Sequence, residues 1–267
     1  MAAENIFKEI NLYNALDNNT FRVYFQPQVH LTTGQVLGAS ALSRYVSREG
    51  NVHRPSQYIG YFEETGFIRN LDLFVFEEVC MFQSKWRSYF GEKLYPMTIS
   101  VNFSRTWFNE RAFIPALQGI LAKYDAKPEL IEIEISGYGA VKSPQSFKRV
   151  FNELKQIGFR CSIDDFGKTE IPDTFLNDID ADSLKISRSF INECHINDDK
   201  EAKLRQIIEH AETLGMDVVA IGAETEEDLD FLKELGCRCV QGFVFSEPMP
   251  KAQFVSFVKE RDTGDED

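Results

Sequence analysis

At 267 residues, 43% of them hydrophobic, the chain is long enough for one sizeable α/β core and too apolar for disorder. A formal net charge of −13 excludes duplex DNA, RNA and anionic lipid as general partners, since these are bound mainly through Lys and Arg. A small anion could still be held by local cations such as Arg44 or Lys185.

No apolar run approaches the ~20 residues of a membrane span, and the first ten residues lack the apolar core of a signal peptide. The five Cys residues, at unrelated spacings, read as buried thiols of a reducing compartment, so the cytoplasm is the expected location. The four His residues form no ligand pair at helical spacing, which argues against a His-based metal site.

In chain order, amphipathic periodicity predicts a helix over Ile6–Ala15, then strands at Val23–Gln28 and Val36–Leu42. Helices follow at Pro55–Thr65 and Leu71–Tyr89, a strand at Thr98–Asn102 and a helix at Ala112–Tyr124. The second half predicts strands at Ile131–Ser136, Arg160–Asp164, Ser183–Ile186, Asp217–Ile221 and Cys239–Gly242. Its helices are Pro144–Ile157, Ala202–Leu214, Glu226–Leu235 and Lys251–Arg261.

Gly158, Gly215 and Gly236 repeat one junction design, in which a helix stops at glycine and a strand follows. Regular β/α alternation of this kind predicts an α/β fold, a (β/α)8 TIM-like barrel. The first two strands are joined only by His30-Leu31-Thr32-Thr33-Gly34, too short for a crossover helix, so the first strand must be antiparallel. A doubly wound open sheet is the structural alternative. One domain is expected over residues 1–260, with a charged tail over 261–267 that frays.

In a barrel, reactive groups collect where strands end. Asn102, Glu134, the Asp164-Asp165 pair, Lys185, Glu224 and Gln241 all fall at or near such ends, and period two places Glu132 on the face of Glu134. Singly, an Asp-Asp pair is most often a turn and a Lys most often solvated; their joint placement points to a site. Oxygen ligands from Asn, Glu and Asp suit Mg²⁺ or Mn²⁺, and two adjacent Asp residues can bridge two such ions.

Several ordered stretches carry a family likeness. These are Tyr24-Phe25-Gln26-Pro27, Ser40-Ala41-Leu42-Ser43-Arg44, Val101-Asn102-Phe103-Ser104, Glu132-Ile133-Glu134-Ile135-Ser136, Ile163-Asp164-Asp165-Phe166-Gly167, Leu184-Lys185-Ile186 and Gln241-Gly242-Phe243. Over nearly its whole length the chain resembles the EAL domain family of cyclic-di-GMP phosphodiesterases. The resemblance implies metal binding by Asn102, Glu134, Asp164 and Asp165, and catalytic roles for Lys185 and Glu224. It implies a nucleotide site lined by Gln26, Leu42, Arg44, Asp165, Glu224, Gln241, Phe243 and Pro248.

The chain departs from the family pattern where carboxylates are implied. Ser40 stands in place of the first Glu of the Glu-Ala-Leu signature, and Gly137, Ser187 and Ile221 replace other acidic residues. Each implied metal therefore loses a ligand. The expectation is a catalytically impaired receptor for cyclic-di-GMP, needing no cofactor for binding, with Mg²⁺ or Mn²⁺ binding weakened. A residual phosphodiesterase, or an interaction module without nucleotide binding, are the alternatives. Expected partners are cyclic-di-GMP, a protein partner or neighbouring signalling domain, and a second copy of the chain in a homodimer, with no nucleic acid and no membrane.

Overall fold

Period two builds this molecule. In the computed structural model, which describes Phe7 and residues 12–18, 20–91, 96–168 and 173–262, strand Thr98–Phe103 buries Ile99, Val101 and Phe103 in the main apolar core. The alternate residue Ser100 points the other way, to buried polar partners on other strands.

The strands are β1 (Phe21–His30), β2 (Val36–Val46), β3 (Val52–His53), β4 (Thr98–Phe103), β5 (Ile131–Ser136), β6 (Arg160–Phe166), β7 (Ser183–Ile186), β8 (Asp217–Ile221), β9 (Cys239–Gln241) and β10 (Met249–Pro250). The helices are α1 (Leu12–Asp17), α2 (Ile59–Thr65), α3 (Ile68–Ser84), α4 (Trp86–Phe90), α5 (Phe113–Tyr124), α6 (Gly137–Lys142), α7 (Pro144–Ile157), α8 (Asp173–Leu176), α9 (Arg188–Cys194), α10 (Asp198–Thr213), α11 (Glu226–Glu234) and α12 (Lys251–Asp262).

Strands β2 and β4 to β9 pair in parallel, and β1 closes the barrel antiparallel to both β2 and β9. The register sets Gln26 opposite Ser40, Ser40 beside Ser100, and Asn102 beside Glu134. This is the closed α/β barrel with a reversed first strand that the short hairpin predicts; the open doubly wound alternative is excluded. The short β3 and β10 extend the outer edges of β2 and β1.

Differences from the expected elements are local. The helix expected over Leu71–Tyr89 is two, α3 and α4, meeting at Lys85. Half of the helix expected over Ile6–Ala15 lies outside the described residues; the other half is helical, at Phe7 and at the start of α1, which runs on to Asp17. The charged tail was expected from residue 261, but α12 runs through Asp262. Arg261 stands 4.6 Å from the Phe257 ring centroid and donates to the Gly34 carbonyl at 3.3 Å. All five Cys residues are buried free thiols, and no described helix is long and apolar enough to cross a membrane.

A second, mainly aromatic cluster of Phe7, Phe21, Tyr45, Tyr58, Phe62 and Phe67 packs below α1 and α2. The Tyr58 hydroxyl meets Ser43 Oγ at 2.9 Å, which fixes the end of β2 beside Arg44.

Asp72 on α3 pins that helix to the chain leaving β4. It is buried, and one oxygen accepts from Ser104 N at 2.9 Å and Trp107 Nε1 at 3.1 Å. Burial pushes its carboxyl from 3.8 up to about 7, against the pull of those two donors. The folded state thus holds a proton that the unfolded chain has lost between those values. Stability from this group is present below the unfolded value and is lost as pH rises to about 7, by at most about 1.4 kcal/mol per pH unit. The melting temperature should fall between pH 5 and pH 8, and the Asp72→Asn variant should fall less. Equal falls in both proteins would assign the dependence elsewhere.

Candidate functional site

The inward residues of the barrel are mostly polar, and their centre is an ammonium group. Lys185 on β7 is 1% exposed. Its Nζ contacts Glu134, lies 3.1 Å from Glu132 Oε1 and donates to Ser100 Oγ at 3.0 Å. Burial alone would lower its pKa, but the Glu134 and Glu132 carboxylates outweigh it and hold Lys185 protonated, above its usual value. Burial likewise works against Glu132, and Lys185 with the Ser183 and Ser100 hydroxyls brings it below its usual value.

Ser40 sits above this pair. Its Oγ lies 2.9 Å from Gln241 Oε1 and 3.1 Å from Glu134 Oε1, two acceptors that compete for its single proton, and it accepts from Gln28 Nε2 at 3.3 Å. Gln241 in turn donates to Gln26 Oε1 at 3.1 Å, and Gln26 donates to the Ser246 carbonyl at 3.2 Å. A continuous set of hydrogen bonds therefore joins the barrel centre to the rim.

Around the rim, Asp164 is half-buried at the end of β6. Burial first, then the Glu134 and Asp165 charges, push its carboxyl up to about 7. Asp165 has a left-handed backbone, φ 57°. At Gly167, φ 93°, an added Cβ would meet Phe190 at 2.4 Å. This tight turn folds Lys168 back, so that its Nζ donates to Asp165 Oδ1 at 2.5 Å. Across the rim, Arg188 lies against Gly222, where an added Cβ would meet Arg188 Cβ at 2.8 Å, and its Nη2 donates to Glu224 Oε2 at 2.6 Å. Ser187 is the N-cap of α9, accepting from Phe190 N at 3.4 Å.

A cavity of about 420 Å³ opens beside β1 and β2, lined by Gln26, Leu42, Arg44, Phe243 and Pro248 among others. Arg44 is buried, lies 5.8 Å from the Tyr24 ring centroid, and donates to the Ser43 carbonyl at 2.8 Å. Burial lowers its pKa, and among the described residues no carboxylate lies within ion-pair distance of it. An anion there would relieve that desolvation. Phe243 is 42% exposed, with the Arg54 guanidinium 6.0 Å from its ring centroid. A larger cavity, about 750 Å³, lies at the opposite end of the barrel, among the strand starts at Thr98, Glu132, Arg160, Ser183 and Asp217.

The structure thus gathers Gln26, Leu42, Arg44, Phe243 and Pro248 at one cavity, with Gln241 bonded to its wall. It places Glu224 in an ion pair with Arg188 and Asp165 in one with Lys168. Of the implied metal set, Asn102 is exposed at the end of β4, Glu134 is held by Lys185 and Ser40, Asp164 is half-buried at the end of β6 and Asp165 is paired with Lys168; Ile221, where the family pattern implies a carboxylate, offers no oxygen. Among the described residues, no group of three or more His, Cys, Asp or Glu side chains is poised to hold a metal. The residues present do not fit a two-ion centre.

Lys168, Arg188, Gln28, Ser100 and Ser183 were not singled out from the sequence. Period two along β1, β4 and β7 carried the signal for the last three. Lys168 follows Asp165 by three positions, but only the left-handed turn brings them together.

An EAL domain model matches residues 10–248. The chain belongs to the EAL domain family. YkoW, a signaling protein of Bacillus subtilis, is 32% identical over 254 residues, covering 95% of this chain and 31% of YkoW. MucR of Pseudomonas aeruginosa, a bifunctional diguanylate cyclase/cyclic di-GMP phosphodiesterase, is 29% identical over 248 residues, covering 93% of this chain and 36% of MucR. The chain therefore spans about a third of the length of these relatives. The solved PaMucR phosphodiesterase in complex with c-di-GMP matches with a TM-score of 0.84 at 29% identity, covering 91% of this chain and 97% of that one. The FimX EAL domain of Pseudomonas aeruginosa, bound to c-di-GMP, shares the fold with a TM-score of 0.78 at 20% identity, over 89% and 94% of the two chains.

Removing the Lys185 charge should leave Glu132 and Glu134 buried without their counter-ion. The Lys185→Met variant, which keeps the apolar stem, should lose about 3–5 kcal/mol of unfolding free energy in urea melts. A loss below ~1 kcal/mol would mean that water reaches the two carboxylates.

Proposed function

We propose that this chain is a receptor for cyclic-di-GMP with impaired hydrolysis, whose occupancy is read by a protein partner or a neighbouring signalling domain. The observation that carries the reading is Ser40. Where the family signature places a carboxylate, its hydroxyl is within bonding distance of Glu134 and Gln241, while Arg44 is buried at the cavity with no carboxylate partner among the described residues. A dianionic dinucleotide suits such a cavity, with a phosphate at Arg44 and a base against Phe243 and Pro248. The related MucR structure, in complex with c-di-GMP, supports the same ligand.

Residual phosphodiesterase activity is the second reading. It is favoured by the presence of Asn102, Glu134, Asp164, Asp165 and Lys185 in one mouth. Losing two anionic ligands, at Ser40 and Ile221, weakens divalent binding and removes the means of activating water.

Calorimetry with cyclic-di-GMP, with and without Mg²⁺, followed by product chromatography, separates these readings. We expect a dissociation constant on the order of 1 μM or tighter without added metal, and turnover well below ~1 s⁻¹ with Mg²⁺ or Mn²⁺. Arg44→Ala should weaken binding by about 1.5–3 kcal/mol. Ordinary turnover would establish an enzyme. No binding at ligand concentrations near ~1 mM would point to an interaction module.

A further inference from the structure

The acidic rim carries cations of its own. Asp165 is engaged by Lys168 at 2.5 Å, Glu224 by Arg188 at 2.6 Å, and Glu134 by the buried Lys185. The first contact is a surface pair brought together by a backbone turn. The left-handed backbone at Asp165 and the turn bond from Lys168 N to the Asp165 carbonyl at 3.2 Å set both ends of it. A divalent ion of the Mg²⁺ kind needs carboxylate lone pairs at about 2.0–2.1 Å in near-octahedral array. Lys168 occupies the Oδ1 side of Asp165, and Ile221, on β8, supplies no oxygen in compensation.

We propose that Lys168 is a tethered counter-ion at Asp165, which keeps divalent metal from the rim and is itself available to a phosphate of the bound ligand. This rests on the cyclic-di-GMP reading only for its second half. Two phosphates of a cyclic dinucleotide lying across the mouth would meet cations on both sides, Arg44 on one and Lys168 on the other. An ammonium does this without polarising water as a metal ion would, so charge neutralisation is separated from hydrolysis. The ion pair of Lys168 with Asp165 is exposed, hence weak, and can be exchanged for a phosphate contact at small cost.

The test uses the full chain in two arms. In the first, with no nucleotide, Mn²⁺ binding is followed by the electron paramagnetic resonance of free Mn²⁺. Lys168→Met should bind Mn²⁺ about tenfold or more tightly than the wild type, because a unit charge has left the site. Lys168→Arg, which keeps the charge, should not. In the second, cyclic-di-GMP affinity without metal should fall about tenfold in Lys168→Met and be regained in part on adding Mn²⁺. Lys168 is exposed, so neither variant threatens folding, and unchanged melting temperatures check this. Equal Mn²⁺ affinities in wild type and Lys168→Met would overturn the counter-ion role. Tighter Mn²⁺ binding with unchanged nucleotide affinity would overturn the phosphate contact. If the wild type binds no nucleotide, the receptor reading and the phosphate contact fall, while the Mn²⁺ arm still decides the counter-ion role.

Discussion

A lysine taken wholly out of water must be matched by anions, and the anions by further donors. Lys185 imposes this on the whole barrel. Its ammonium requires Glu132 and Glu134. Those carboxylates take the hydroxyls of Ser100, Ser183 and Ser40, and these hydroxyls are tied to Gln28, Gln241 and Gln26. Barrels of this architecture are usually filled by branched apolar side chains. Here most apolar strand residues face the helices instead, and the interior is mainly a polar network bonded from strand to strand. The exceptions are Val219 and Ile221 on the inward register of β8, and Ser162 Oγ on β6, left without a partner among the described residues. Such a network is rigid when complete and costly when broken. The floor of the cavity is therefore set by the same contacts that stabilise the fold.

Ser40 shows how a single substitution is absorbed into that network. A carboxylate at this position would stand beside Glu134 and repel it unless a metal ion lay between them. The hydroxyl instead is neutral and has one proton to share between Glu134 and Gln241, so it adds no charge that an ion must offset. The rim reaches the same end differently, since Lys168 and Arg188 each offset an acid that the barrel cannot neutralise from below.

Much of this could be read in the chain. The alternation in Thr98–Asn102 and Ile131–Ser136 carries strand, face and polar interior together, and the five-residue link His30–Gly34 carries the reversed strand. Other features depend on geometry that no local pattern encodes. Ser40 meets Glu134 and Gln241 across sequence separations of 94 and 201 residues. The pairing of Lys168 with Asp165 needs a non-glycine residue at positive φ, which sequence alone does not announce. The short helices α6 and α9 follow directly on strands and are too brief to show periodicity, although Ser136 and Ser187 cap them.

The direction of β1 has its own consequence for what can enter. Every other barrel strand delivers a loop to the mouth, whereas β1 delivers its loop, residues 31–35, to the far end. The mouth therefore has a notch between β9 and β2, lined by residues of β1 and β2, by Val52 and Arg54, and by Phe243, Glu247 and Pro248 of the returning chain. One reversed strand thus leaves the rim open on the side where Tyr24, Leu42 and Arg44 stand, and any guest that meets this guanidinium must enter there.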